Sequence, residues 1–106
     1  MAQEELTNNR SVTVAVTSTR ISEQCFQQRS AIVLTNISIG GQEISISIGS
    51  EAILGTGIVL SVGGTYQDSR DGRYMPSNEQ INAISDVAGG VLAVHERILM
   101  QKVVGW

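Results

Sequence analysis

Glu43-Ile44-Ser45-Ile46-Ser47-Ile48 decides how this chain is read. Isoleucine takes every second position, and serine or glutamate fills the positions between. Successive side chains of a β-strand point to opposite faces, so the pattern describes a strand with Ile to one side and Ser or Glu to the other. Ile46→Asp should then prevent folding, and Ser45→Asp should be tolerated. Upstream, Ser30-Ala31-Ile32-Val33-Leu34-Thr35-Asn36 is a second strand, largely apolar on both faces. The intervening Ile37 to Gln42 contains Gly40-Gly41 and reads as a hairpin turn joining the two.

Outward from this pair, the same period recurs. Val12, Val14 and Val16 alternate with Thr13, Ala15 and Thr17; Ile21 to Arg29 is Gln-rich and fits either a strand or a loop. Ile58 to Ser61, Thr65 to Asp68, Ile81 to Ser85 and Val91 to Ile98 are further strands, with Gly63-Gly64 and Gly89-Gly90 as turns. Pro76 sits in a long loop, and Ser77 with Gln80 fits a capping box that could open one helical turn. Seven or eight strands with turn signals about every 8–12 residues mark an all-β protein, a single antiparallel β-sandwich or jelly-roll-like barrel. The domain spans residues 11–98. Residues 1–10 are polar and aperiodic and read as a flexible arm, and 99–106 read as an apolar tail.

Composition agrees. Thr, Ile and Val supply 30 of the 106 residues and Ser another 12, which suits pleated sheets. Charged residues are 16% of the chain, below the roughly 25% of an average soluble domain. The chain is too apolar to be disordered, and no apolar run approaches the roughly 18 residues of a membrane helix. A net charge of −3, with Lys102 the only lysine, and few aromatics argue against nucleic acid as a partner. Met1-Ala2-Gln3-Glu4-Glu5 carries acid where a secretory signal carries base. The expected site of synthesis is therefore a cytoplasm, and the single Cys25 fits a reducing one.

No catalytic, cofactor or metal site is expected. One His and one Cys cannot form a His/Cys metal cluster. No glycine pair precedes a lysine, which excludes a P-loop, and no Gly-x-Ser-x-Gly elbow occurs. Asp68 to Gly72 resembles an acidic calcium loop but lacks its spacing and later ligands, so it reads as a polar turn. His95 and Glu96 are strand neighbours and point to opposite faces. Tyr66 and Tyr74 flank this turn and are the candidate ligand platform, of the kind that binds sugars. Ile81 to Ile84 and Val91 to Val94 are apolar on both faces, and Leu99, Met100, Val103, Val104 and Trp106 need burial. Together they call for a homo-oligomer, a trimer first, with the tail docked on another subunit or a larger particle.

Taken together, Arg29 to Asn36, Ile44 to Gly49, Gly57 to Ser61, Gly63-Gly64, Tyr74, Ile81 to Ile84 and Gly90 to Glu96 form a pattern that resembles small β-sandwich virion proteins of tailed bacteriophages. These are capsid decoration (cement) or head-fibre proteins. The resemblance covers about residues 29–98. It implies a non-enzymatic, commonly trimeric structural protein of the virion with the major capsid protein as partner. It carries no functional residue across. The alternative is a carbohydrate- or receptor-binding module using Tyr66 and Tyr74, and a small cupin-like enzyme stands third.

Overall fold

Alternating side chains fold into eight strands in a computed structural model that describes residues 3–25 and 27–101. They are β1 (Gln3–Val14), β2 (Thr19–Ser22), β3 (Arg29–Asn36), β4 (Ile44–Ile48), β5 (Ile58–Leu60), β6 (Thr65–Ser69), β7 (Ile81–Ser85) and β8 (Gly90–Gln101). Two four-stranded antiparallel sheets result, in the orders β1-β8-β3-β6 and β2-β7-β4-β5. The pairs β1–β8, β2–β7, β3–β6 and β4–β5 are nested, as if one long hairpin had been rolled up. This is the jelly-roll form of an eight-stranded β-sandwich. Val14, Ile32, Leu34, Leu92 and Val94 from the first sheet meet Ile21, Ile44, Ile46, Leu60, Ile81 and Ala83 from the second.

The rolled topology corrects the expected hairpins. Gly40-Gly41, Gly63-Gly64 and Gly89-Gly90 all join strands that lie in different sheets. Among the described residues, the only consecutive strands that pair are β4 and β5. At the end of β3 the buried Asn36 decides the path. Its amide donates to the carbonyls of Gln42 and Leu60 at 2.8 and 2.9 Å, and its oxygen accepts the Ser38 N–H at 3.0 Å. These bonds lash the end of β3 to the second sheet, so the chain crosses instead of turning back.

Segment 49–57 folds over the outer face of the second sheet. Gly55 N–H donates to Ser45 Oγ at 3.0 Å, Ala52 N–H to Ser18 Oγ at 2.9 Å, and Asn82 Nδ2 to the Ser50 carbonyl at 2.7 Å. Ser45 is therefore 1% exposed, against the expectation that it faces solvent. Gly57 fits the close return: its φ is +75°, and a Cβ there would collide with the carbonyl of Ile46. Part of the cover that the two-sided strand at 81–84 demanded thus comes from the chain itself. Ser77 starts no helical turn; its hydroxyl accepts the Glu79 N–H within a loop.

Residues 3–10 are not a free arm. They complete β1, which pairs with β8 without interruption from Gln3↔Gln101 to Val14↔Gly90. Polar residues such as Asn8 and Asn9 form a strand here because β8 supplies the ladder. The boundary at 99 shifts likewise, since β8 continues to Gln101. The molecule is elongated, 53 × 23 × 22 Å.

Candidate functional site

The inner face of the β1–β8 ribbon carries Leu6 opposite Ile98, Asn8 opposite Glu96 and Arg10 opposite Val94. Toward the Ile98 end the second sheet stops short, because β2 ends at Ser22. A groove of about 540 Å³ opens there, lined by Leu6, Arg10, Ile21, Cys25, Glu96 and Ile98 among others.

Its floor is an ionic network. A bulge shifts the β3–β8 register between Arg29 and Ala31 and sets Arg29 opposite Ile98. Arg29 is 1% exposed. Its Nε donates to Glu96 Oε2 at 2.7 Å, and its Nη atoms donate to Ser22 Oγ and to the carbonyls of Ser77, Glu79 and Glu23. Glu96 also accepts from Ser22 Oγ at 2.7 Å and Arg10 Nη1 at 3.3 Å. Burial opposes ionisation of Glu96. The hydrogen bonds from Ser22 and Arg29 and the charges of Arg29 and Arg10 outweigh it and hold the carboxyl below its ordinary 4.5. Cys25 at the rim is half-buried, its thiol donating weakly to the Glu23 carbonyl at 3.8 Å. Burial pushes its pKa up, with the nearby Arg29 charge opposing, so neutral conditions leave a thiol. A carboxylate locked to two guanidiniums and a protonated thiol suit structure better than proton transfer or nucleophilic attack.

The tyrosines are brought together, but around an acid. Asp71 and Tyr74 form an isolated bridge that turns Tyr74 back toward β6. The Tyr74 hydroxyl donates to Asp68 Oδ2 at 2.6 Å, and the Tyr66 hydroxyl reaches the same oxygen at 3.4 Å. Burial raises the Tyr66 pKa most, followed by the Asp68 charge; for Tyr74 the hydrogen bond to Asp68 leads. Tyr66 packs partly against the core, so Tyr74 alone offers an open ring, beside a depression formed with Gln67, Asp68, Ser69 and Asp71. His95 faces away from Glu96, and its Nδ1 lies 2.6 Å from Asn9 Oδ1. Among the described residues no group of His, Cys, Asp and Glu is arranged to hold a metal.

Of the expected interface residues, Leu99 is buried in its own subunit, and its N–H donates to the Gln28 carbonyl at 2.8 Å. Met100 pairs with Glu4 along the ribbon backbone. Val103, Val104 and Trp106 lie outside the described residues. Sequence reasoning missed the Arg29–Glu96 pair and the groove. Its signal was present: Glu96 follows Leu92 and Val94 at alternate positions, on the buried face.

No protein-family model and no curated protein matches the chain. Its fold is similar to a solved structure from the Bacillus endospore appendages, described as a novel family of disulfide-linked pili, with a TM-score of 0.61 and 16% identity over 93% of this chain and 89% of that one. At that identity the likeness shows a shared fold.

Proposed function

We propose that this chain is a non-enzymatic structural subunit that self-assembles with further copies into a surface layer or filament. The carrying observation is the free edge of β1. Twelve residues pair with β8 on one side, with no proline and no break in register, and among the described residues no strand lies on the other. Such an edge presents unpaired N–H and C=O groups and is a template for another strand, unless it is covered. Edge contacts between unlike strands of neighbouring copies produce rings when the rotation closes and filaments when it does not.

The pilus-like fold supports assembly as the role. Disulfides among these 106 residues could join copies only in pairs, because Cys25 is the sole cysteine, so non-covalent contacts carry the lattice. The capsid-decoration role implied by the phage-protein resemblance is the closed, trimeric form of the same proposal. Sedimentation across a concentration series, with electron microscopy of the assembled material, tests it. Rings or filaments that Thr7→Lys on the β1 edge disperses are expected. A soluble monomer at every concentration refutes the reading.

A further inference from the structure

The two ends of the sandwich are complementary. At the Gly90 end of β8, three loops are tied together: Ile37 N–H donates to the Val91 carbonyl, Gly63 N–H to the Asn36 carbonyl, and Gln42 Nε2 to the Ala88 carbonyl. They carry Ile39, fully exposed, with Ile37, Val62 and Val87 each about half exposed. A fully exposed isoleucine on a well-tied loop gains nothing for its own fold. The charged residues of these loops, Glu43 and Asp86, are both acidic and exposed. This end is therefore an apolar crown with negative charge.

The groove lies at the Ile98 end of β8, about 24 Å along the strand from Val91 at 3.4 Å per residue. Its walls include Leu6, 55% exposed, with Ile21 and Ile98. Arg10 and Arg20 stand at its rim with side chains 30% and 43% exposed. Along the groove lining, Arg10 and Arg20 balance Glu23 and Glu96, and the buried Arg29 beneath them leaves one positive charge in excess. An apolar, positive hollow at one end and an apolar, negative projection at the other match in shape sense and in charge.

We infer that the groove of one copy receives the crown of the next, led by Ile39, so that subunits stack head to tail. The occupant is a second copy of this chain. The contact is heterologous: each subunit uses one end to give and the other to receive, which propagates along the 53 Å axis. This rests on the self-assembly reading and adds an axial contact to the lateral edges. The 102–106 segment of a neighbouring copy is the rival occupant.

Cys25 on the groove wall makes the test direct. In Ile39→Cys, oxidation should join Cys25 of one copy to the new thiol of the next, giving a ladder of covalent oligomers. Adding Cys25→Ser should collapse the ladder to dimers at most. The two positions lie at opposite ends of the molecule, so an intramolecular bond cannot mimic this result. Separately, Ile39→Asp and Leu6→Glu alter exposed side chains, should leave circular dichroism unchanged, and should each weaken association at least about tenfold. Raised salt should weaken it further. If wild type assembles, Ile39→Asp assembles equally well and no ladder forms, head-to-tail docking is overturned while self-assembly stands. Loss of assembly only on truncation after Gln101 overturns it in favour of the rival segment. A wild type that never associates overturns both readings.

Discussion

Glu96→Gln tests the ionic floor of the groove. The glutamine keeps the shape but removes the charge that Arg29 and Arg10 oppose at 2.7 and 3.3 Å. Arg29 is 1% exposed and has no water to turn to. Breaking a buried pair by removing one partner costs about 3–5 kcal/mol, because a charge is left uncompensated. That is a large share of the roughly 5–15 kcal/mol that holds a domain folded. At about 4–8 °C per kcal/mol for a chain near this length, Tm should fall by at least 12 °C or so. Urea denaturation followed by circular dichroism measures the loss directly. The sign with pH follows from the lowered pKa of Glu96. Its contribution is fully present above the unfolded carboxyl value near 4.5 and is lost as pH falls through the lower folded value. Wild type should therefore lose stability in acid more steeply than Glu96→Gln, and the two curves should converge at low pH. Arg29→Met should cost more than Glu96→Gln, since it also strands the carbonyls of Ser77, Glu79 and Glu23. A Glu96→Gln variant within about 0.5 kcal/mol of wild type, with an unchanged acid slope, would refute the argument.

Ser45→Asp should destabilise the fold alongside Ile46→Asp, because both positions are 1% exposed; equal urea midpoints for Ser45→Asp and wild type would show that segment 49–57 does not cover it. Gly55 and Gly57 share a φ of +75°, but only Gly57 has a backbone atom in the way. Gly55→Ala should then cost about 1–2 kcal/mol of left-handed strain and Gly57→Ala clearly more, as read by thermal melts. Deleting residues 3–10 should strip β8 of most of its β1 partner, leaving β3 on its other side, lower Tm and promote aggregation, whereas an unaltered melt would return this segment to the status of an arm. Phenol absorbance should show both tyrosines ionising above 10, and Asp68→Asn should bring both down.

Local chemistry determined much of this protein. Alternation at Glu43–Ile48, at Val12–Val14 and at Val91–Ile98 wrote strands into the chain, because a residue's face in a strand depends only on its parity. The all-β class and the inward placement of Ile44 and Ile46 followed from that alone, whereas 91–94 is apolar on both faces and only the packing turned Leu92 and Val94 inward. The separation of His95 from Glu96 also followed from parity. Which strand pairs with which was not written locally. A glycine turn permits either a hairpin or a crossing, and the choice at residues 37–42 depended on Asn36 finding the carbonyls of Gln42 and Leu60, a partner 24 residues away. Ser45 reads as a surface residue until segment 49–57 closes over it. Gln3 to Arg10 have no apolar period and became a strand only because β8 offered a ladder. The groove likewise belongs to the tertiary structure. Parity placed Glu96 inside, but its neutralisation needed Arg29 from a bulge in β3, Arg10 from β1 and Ser22 from β2. Sequence period reports the environment of a single strand; long-range hydrogen bonds and charge pairing decide between strands, and these depend on distances that exist only once the chain is folded.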